Sequence, residues 1–298
     1  MNITGCRQAW SFRVWVGLWG LLWLIPLPAW GQEAPMSKKA MVKAKVVNAA
    51  QPISLSEEYR VGRAVAASIL QEYPLYQDPR LTLYVNEVGQ TVARKSSRPN
   101  VFRGYHFGIL DSPEPNAFAC PGGLILITRG FLRMCDNEDE LAAALAHEVG
   151  HVANRDGIKS IKKARWSEVA AIVKTERAQR RGGPLAELVT LYGDAIIEVR
   201  KTIAVNGYGR QSEWAADQEV LRTLAAAGYN PGALASLLRK MAVHEKQAKA
   251  GGHGIHRTHP PAALRLARLK HQGVAGAPLT AGQTLRTRRF RKEVTSNQ

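Results

Sequence analysis

His147-Glu148-Val149-Gly150-His151 constrains this chain more than any other stretch. It has the form H-E-x-x-H, and the residues leading into it, Glu138 to Ala146, are rich in alanine and other helix formers. Residues four apart lie on one face of an α-helix, about one turn up. A helix over 138–154 therefore aims the imidazoles of His147 and His151 at one point, at the spacing a tetrahedral zinc ion needs. Glu148 stands beside the first ligand, where it can act as general base on a zinc-bound water.

Two histidines do not complete such a site, which takes a third protein ligand and one open position. Candidates downstream are His244, His253, His256, His259 and His271, or a carboxylate. Glu213 is the best of them. In Glu213-Trp214-Ala215-Ala216-Asp217 two acids stand four apart on an otherwise mostly apolar helix. Carboxylates are seldom buried without a partner, and a metal with its ligand histidine supplies one. Glu213 would then bind the ion, and Asp217 would accept the second ring N–H of one histidine.

Four blocks in order carry a resemblance: Asn116-Ala117-Phe118-Ala119-Cys120-Pro121-Gly122-Gly123, then His147 to His151, then Glu213 to Asp217, then Thr258-His259-Pro260-Pro261. Together they resemble the zinc metallopeptidase family that includes the CAAX prenyl endopeptidase, HtpX and the Oma-type mitochondrial protease. The resemblance covers about residues 54–270. It implies a zincin-like α+β fold, mostly helical, with a small antiparallel sheet beside the active-site helix. It also implies one zinc ion held by His147, His151 and Glu213, with Glu148 as catalytic base. Residues 116–119 would form an edge strand along which an extended substrate adds, and Asn116 would hold its backbone. His259 resembles a histidine that approaches the metal or the substrate carbonyl, and in some relatives caps the open position. Arg265 would support that loop. Two departures stand out: Ala215-Ala216-Asp217 replaces the usual Glu-Ala-Asp, and Cys120 occupies a commonly apolar position, where it packs or makes the cleft redox-sensitive.

The rest of the chain bounds where such an enzyme works. Arg7 and Arg13, the apolar run Val14 to Ile25, the prolines at 26 and 28, and Ala29-Trp30-Gly31 form a secretory signal over 1–31. An exported, periplasmic protein is expected, with an uncleaved anchor as the alternative. Residues 32–52 read as a linker, 53–272 as the peptidase domain and 273–298 as a weakly structured basic tail. The formal net charge is +17. No helix-turn-helix or zinc-finger spacing accompanies it, so nucleic acid is not the expected partner. Unfolded or extended polypeptide is, with peripheral contact to an anionic membrane through the basic clusters at 159–165, 177–181 and 286–292. The competing reading is a non-catalytic zinc-containing chaperone or adaptor, or a latent enzyme.

Periodicity predicts helices over 54–70, opened by Ser54 and Glu57 in capping-box spacing, and over 79–93. Three extended segments follow, at 105–110, 116–120 and 124–128. Further helices are expected over 185–205, 212–226, 231–243 and 260–269. The charged insert 158–184 carries no clear reading. Cys120 and Cys135 are either a disulfide or two buried thiols.

Overall fold

A computed structural model describes residues 38–163, 165–166, 202, 207–248, 259–271 and 282–294. The expected signal, most of the charged insert and the expected helix over 185–205 lie outside the described residues. The elements run α1 (Lys38–Ala50), α2 (Leu55–Leu70), α3 (Pro79–Ala93), β1 (His106–Leu110), β2 (Ala117–Cys120), β3 (Leu124–Thr128), α4 (Arg129–Met134) and α5 (Glu138–Ala153). After them come α6 (Arg210–Ala227), α7 (Gly232–Ala248), α8 (Ala262–His271) and α9 (Gln283–Val294).

Local chemistry fixes the helix ends. The Glu57 backbone N–H donates to Ser54 Oγ at 3.2 Å, and the Ser54 N–H donates to Glu57 Oε2 at 2.8 Å, a closed capping box. Asp78 caps α3 by accepting from the Leu81 N–H at 2.9 Å, with Pro79 at the first helical position. Residues 38–50 are helical where a linker was expected. That segment is rich in Lys and Ala and free of Gly and Pro, so its intrinsic helix propensity is enough to give a helix.

The α+β, mostly helical class is as expected, but the sheet is mixed rather than antiparallel. Strand order is β1-β3-β2. β2 and β3 pair antiparallel, Ala117 opposite Ile127, while β1 and β3 run parallel, His106 opposite Leu124. The cause is turn chemistry. Pro121-Gly122-Gly123 closes a hairpin, with Gly122 and Gly123 at φ +77° and +99°. The 111–116 connection carries two prolines and cannot form a tight hairpin, so β2 passes β1 and β3 takes the centre.

α5 runs through the core, with every residue from Glu138 to Val152 buried. Gly150 sets its approach to α6, because a Cβ there would stand 3.2 Å from the Cα of Ala216. The first turn buries Glu138, Asp139 and Glu140 at the positive end of the helix dipole. Tyr84 and Tyr229 donate their hydroxyls to Glu138 at 2.9 and 3.1 Å, and Arg289 closes on the same carboxylate. Arg286 grips Asp139 through two bonds of 3.1 and 2.8 Å. Ser236 and Lys240 hold Glu140.

The expected loose tail is therefore, over 283–294, a helix docked on the start of α5, with Phe290 and Val294 buried beneath it. Removing Arg286 leaves the fully buried Asp139 with the Asn230 N–H as its remaining named donor. Breaking one half of a buried pair costs about 3–5 kcal/mol. Arg286→Ala is thus expected to lower the melting temperature by about 5–10 °C. The exposed Arg288→Ala serves as control, within about 0.5 kcal/mol of wild type. Equal shifts in thermal unfolding for the two variants would sink this account of α9.

Candidate metal centre

The centre forms where α6 crosses α5. His147 and His151 project from one face of α5, and Glu213 comes from the first turn of α6. The two Nε2 atoms lie 3.2 Å apart. Glu213 places Oε2 at 3.3 Å from His147 Nε2 and Oε1 at 3.5 Å from His151 Nε2. His259, just before α8, brings Nδ1 to 3.0 and 2.9 Å from the two Glu213 oxygens. These four residues are all buried, and their ligand atoms lie within 4.8 Å of one another. Among the described residues this is the cluster able to hold a metal ion. His244 and His271 stand outside it, and His253 and His256 lie outside the described residues.

Each histidine of α5 gives its other nitrogen to a carboxylate. His147 Nδ1 lies 3.2 Å from Asp217 Oδ1, and His151 Nδ1 lies 3.0 Å from Asp156 Oδ2. Both Nε2 atoms are thereby left facing the centre, where binding an ion takes the neutral ring. Arg265 from α8 holds Asp217 in turn, Nη2 to Oδ1 at 2.6 Å and Nε to Oδ2 at 3.0 Å. Arg265, expected to support the His259 loop, thus reaches the carboxylate beside His147.

Asp156 was not foreseen. It sits just past the end of α5, and Arg155 at φ 56° turns the chain back so that Asp156 meets His151. Lys159 and Ser212 then hold its other oxygen at 3.1 and 3.2 Å. Tyr208 was missed too. Its ring packs on His151 with centroids 4.4 Å apart.

Charge in the centre is unbalanced. Glu148, Asp156, Glu213 and Asp217 are buried together, and Arg265 is the buried cation among them. Burial works against a charged His151, but the Glu213 carboxylate and the Asp156 hydrogen bond outweigh it and raise its pKa to about 10. Burial likewise pushes Asp217 upward, and the Arg265 guanidinium more than reverses this, holding it well below the usual carboxylate range. Such a set of carboxylates favours a cation at its centre. Glu148 flanks the cluster, its Oε1 3.9 Å from His259 Nε2.

β2 is an edge strand, as expected, but its four residues are buried. Asn116 pairs with Thr128, so by the antiparallel alternation Ala117 and Ala119 turn their backbone groups away from β3. Two of these four outward groups are taken. The Ala117 N–H donates to Asn116 Oδ1 at 2.9 Å, and Ala119 O accepts from the Tyr208 hydroxyl at 3.4 Å. Cys120 and Cys135 are free, buried thiols rather than a disulfide. Burial pushes the Cys120 thiol up to about 12, which keeps it protonated and poorly reactive.

Residues 79–272, well over half of the chain, match the model of Peptidase family M48. The beta-barrel assembly-enhancing protease of Escherichia coli is 26% identical over 238 residues, 78% of this chain and 47% of that protein. The mitochondrial metalloendopeptidase OMA1 of Schizosaccharomyces pombe is 29% identical over 225 residues, 73% of this chain and 61% of its own length. A protease HtpX homolog of Salinibacter ruber is 30% identical over 186 residues, 54% of this chain and 66% of its own. The chain spans about half the length of the first of these relatives. The family match runs through both the histidines of α5 and Glu213 of α6, and the chain belongs to peptidase family M48.

Proposed function

We propose that this chain is an exported zinc endopeptidase that cuts unfolded or extended polypeptides of the cell envelope. The donor spacing carries the reading. A tetrahedral zinc ion with bonds of about 2.0–2.1 Å keeps its ligand atoms about 3.3–3.4 Å apart. Here the two Nε2 atoms lie 3.2 Å apart, and each has one Glu213 oxygen near that spacing, Oε2 at 3.3 Å from His147 and Oε1 at 3.5 Å from His151. Two neutral imidazoles and one carboxylate are also a donor set that zinc prefers and that leaves one position open.

A bound zinc ion would polarise both a water and the scissile carbonyl. The protein does the rest. His147, His151 and Glu213 would hold the ion, while Asp217 and Asp156, bonded to the other ring nitrogens, would fix the two imidazole tautomers. Glu148 takes the water's proton and returns it to the leaving amine. Its burial in the cleft keeps bulk water from competing for that proton. Export rests on the signal pattern of residues 1–31, and envelope substrates on the likeness to the beta-barrel assembly-enhancing protease. Exposed Lys159, Lys162 and Lys163 beside exposed Trp166 suit peripheral contact with an anionic membrane. No helix among the described residues is long and apolar enough to cross one. The decisive experiment is casein cleavage by wild type against Glu148→Gln.

A second reading, latency, is favoured by one observation: the Ala117 N–H and the Ala119 carbonyl on the outer edge of β2 are already occupied. A substrate strand adding there must displace the Tyr208 hydroxyl from Ala119 O. Tyr208→Phe keeps the ring on His151 and removes that bond. Because a neutral hydrogen bond contributes about 0.5–1.5 kcal/mol, the variant is expected to cleave extended peptides about 2–10-fold faster, through a lower KM. An unchanged or raised KM would argue that the edge is not held shut by Tyr208.

A further inference from the structure

A cavity of about 20 Å³ opens between α4, α5 and α7, beside Glu148 and His259. We infer that it is the specificity pocket of this site, and that it takes a small aliphatic side chain, alanine in size, from a substrate residue flanking the cleaved bond. The inference rests on the endopeptidase reading above and deepens it.

The pocket's position follows from helix geometry. Ala143 and Ala144 lie one turn before His147 and Glu148 on the same face of α5, so space against them opens directly onto the general base. Had either been a larger residue, α5 itself would fill the gap. Phe131 of α4 and Leu234, Leu237 and Met241 of α7 complete an apolar wall. All four are at most 3% exposed.

Size and polarity set the ligand class. A void of this volume holds about one water-sized group. A methyl fits, and its burial is favourable. A leucine or phenylalanine side chain requires Leu237 or Met241 to move in a close-packed wall, which is disfavoured. Glutamate, lysine and arginine side chains are as long as leucine or longer and are excluded by the same lack of room.

Mass-spectrometric mapping of cut sites in casein tests this, using the zinc-loaded chain. Wild type is expected to show alanine, with glycine and serine behind it, enriched at least fivefold over leucine and phenylalanine at one position flanking the cut. Leu237→Ala and Met241→Ala enlarge the pocket and are expected to raise leucine or methionine there at least fivefold. Ala144→Val narrows it and is expected to shift preference toward glycine. Circular dichroism checks that each variant is folded, and any one folded variant suffices for the comparison. A wild-type profile tolerant of large residues, or a folded variant with the wild-type profile, overturns the pocket while leaving the endopeptidase reading intact. No cleavage at all by zinc-loaded wild type overturns both.

Discussion

Glu148→Gln is expected to abolish casein cleavage, by about 10²–10⁴-fold in kcat, while leaving zinc content unchanged. Glutamine has nearly the same shape as glutamate but cannot take a proton from water at neutral pH. Glu148 is not among the four clustered donors, so metal binding does not depend on it. The substitution also retains the packing of a buried residue and removes one negative charge from a crowded acidic centre. Folding stability is therefore expected to hold or rise slightly. Zinc stoichiometry by atomic absorption and cleavage assays on the same preparation separate the possibilities. A variant that binds zinc and cleaves as fast as wild type would remove Glu148 from the mechanism. A variant that retains protection of unfolded proteins from aggregation, where wild type shows no cleavage, would instead favour the adaptor reading.

Much of this centre was legible because its parts are helical. Spacings of four within α5 and α6 place His147 with His151, and Glu213 with Asp217, whatever the rest of the chain does. Asp156 was not legible, since it reaches His151 through a left-handed turn at Arg155, a non-glycine residue with no marked turn signature. Tyr208 stands outside any motif and meets the centre only because the chain before α6 passes β2. The strand segments were readable from alternation, but their order depended on which connection could turn tightly, a property of Pro113 and Pro115 as much as of the strands. α9 was hidden by its own charges. Arg286 and Arg289 read as part of a surface basic cluster, and their partners Asp139 and Glu138 are far away in sequence, at the start of α5. Local pattern finds an element; it does not find what a charge is paired with across the fold.

Arg265→Ala is expected to cost both folding stability and zinc affinity. Arg265 is 3% exposed and makes two bonds to Asp217, which is 4% exposed and sits on His147 Nδ1. Losing one member of a buried, hydrogen-bonded pair costs about 3–5 kcal/mol. The loss also propagates to the centre, because outer partners of ligand histidines typically contribute about 10–100-fold in metal affinity. Arg265→Lys is not expected to rescue it, since a single ammonium cannot reproduce the two-point grip of the guanidinium. The pH dependence gives a second readout. In wild type the Asp217 carboxyl is held well below the carboxylate range, because Arg265 outweighs the effect of burial. A group depressed in this way contributes stability above its unfolded pKa, and loses it only as pH falls through the folded value. Without Arg265, burial acts with less opposition and the folded value rises. Protonated Asp217 would then donate to His147 Nδ1 rather than accept from it, turning the imidazole toward the wrong tautomer. The zinc-affinity deficit of Arg265→Ala is therefore expected to be larger near pH 5 than near pH 8 when referred to wild type at each pH. A deficit that is the same at both would leave Arg265 a packing residue, and would detach it from the chain of contacts that orients His147.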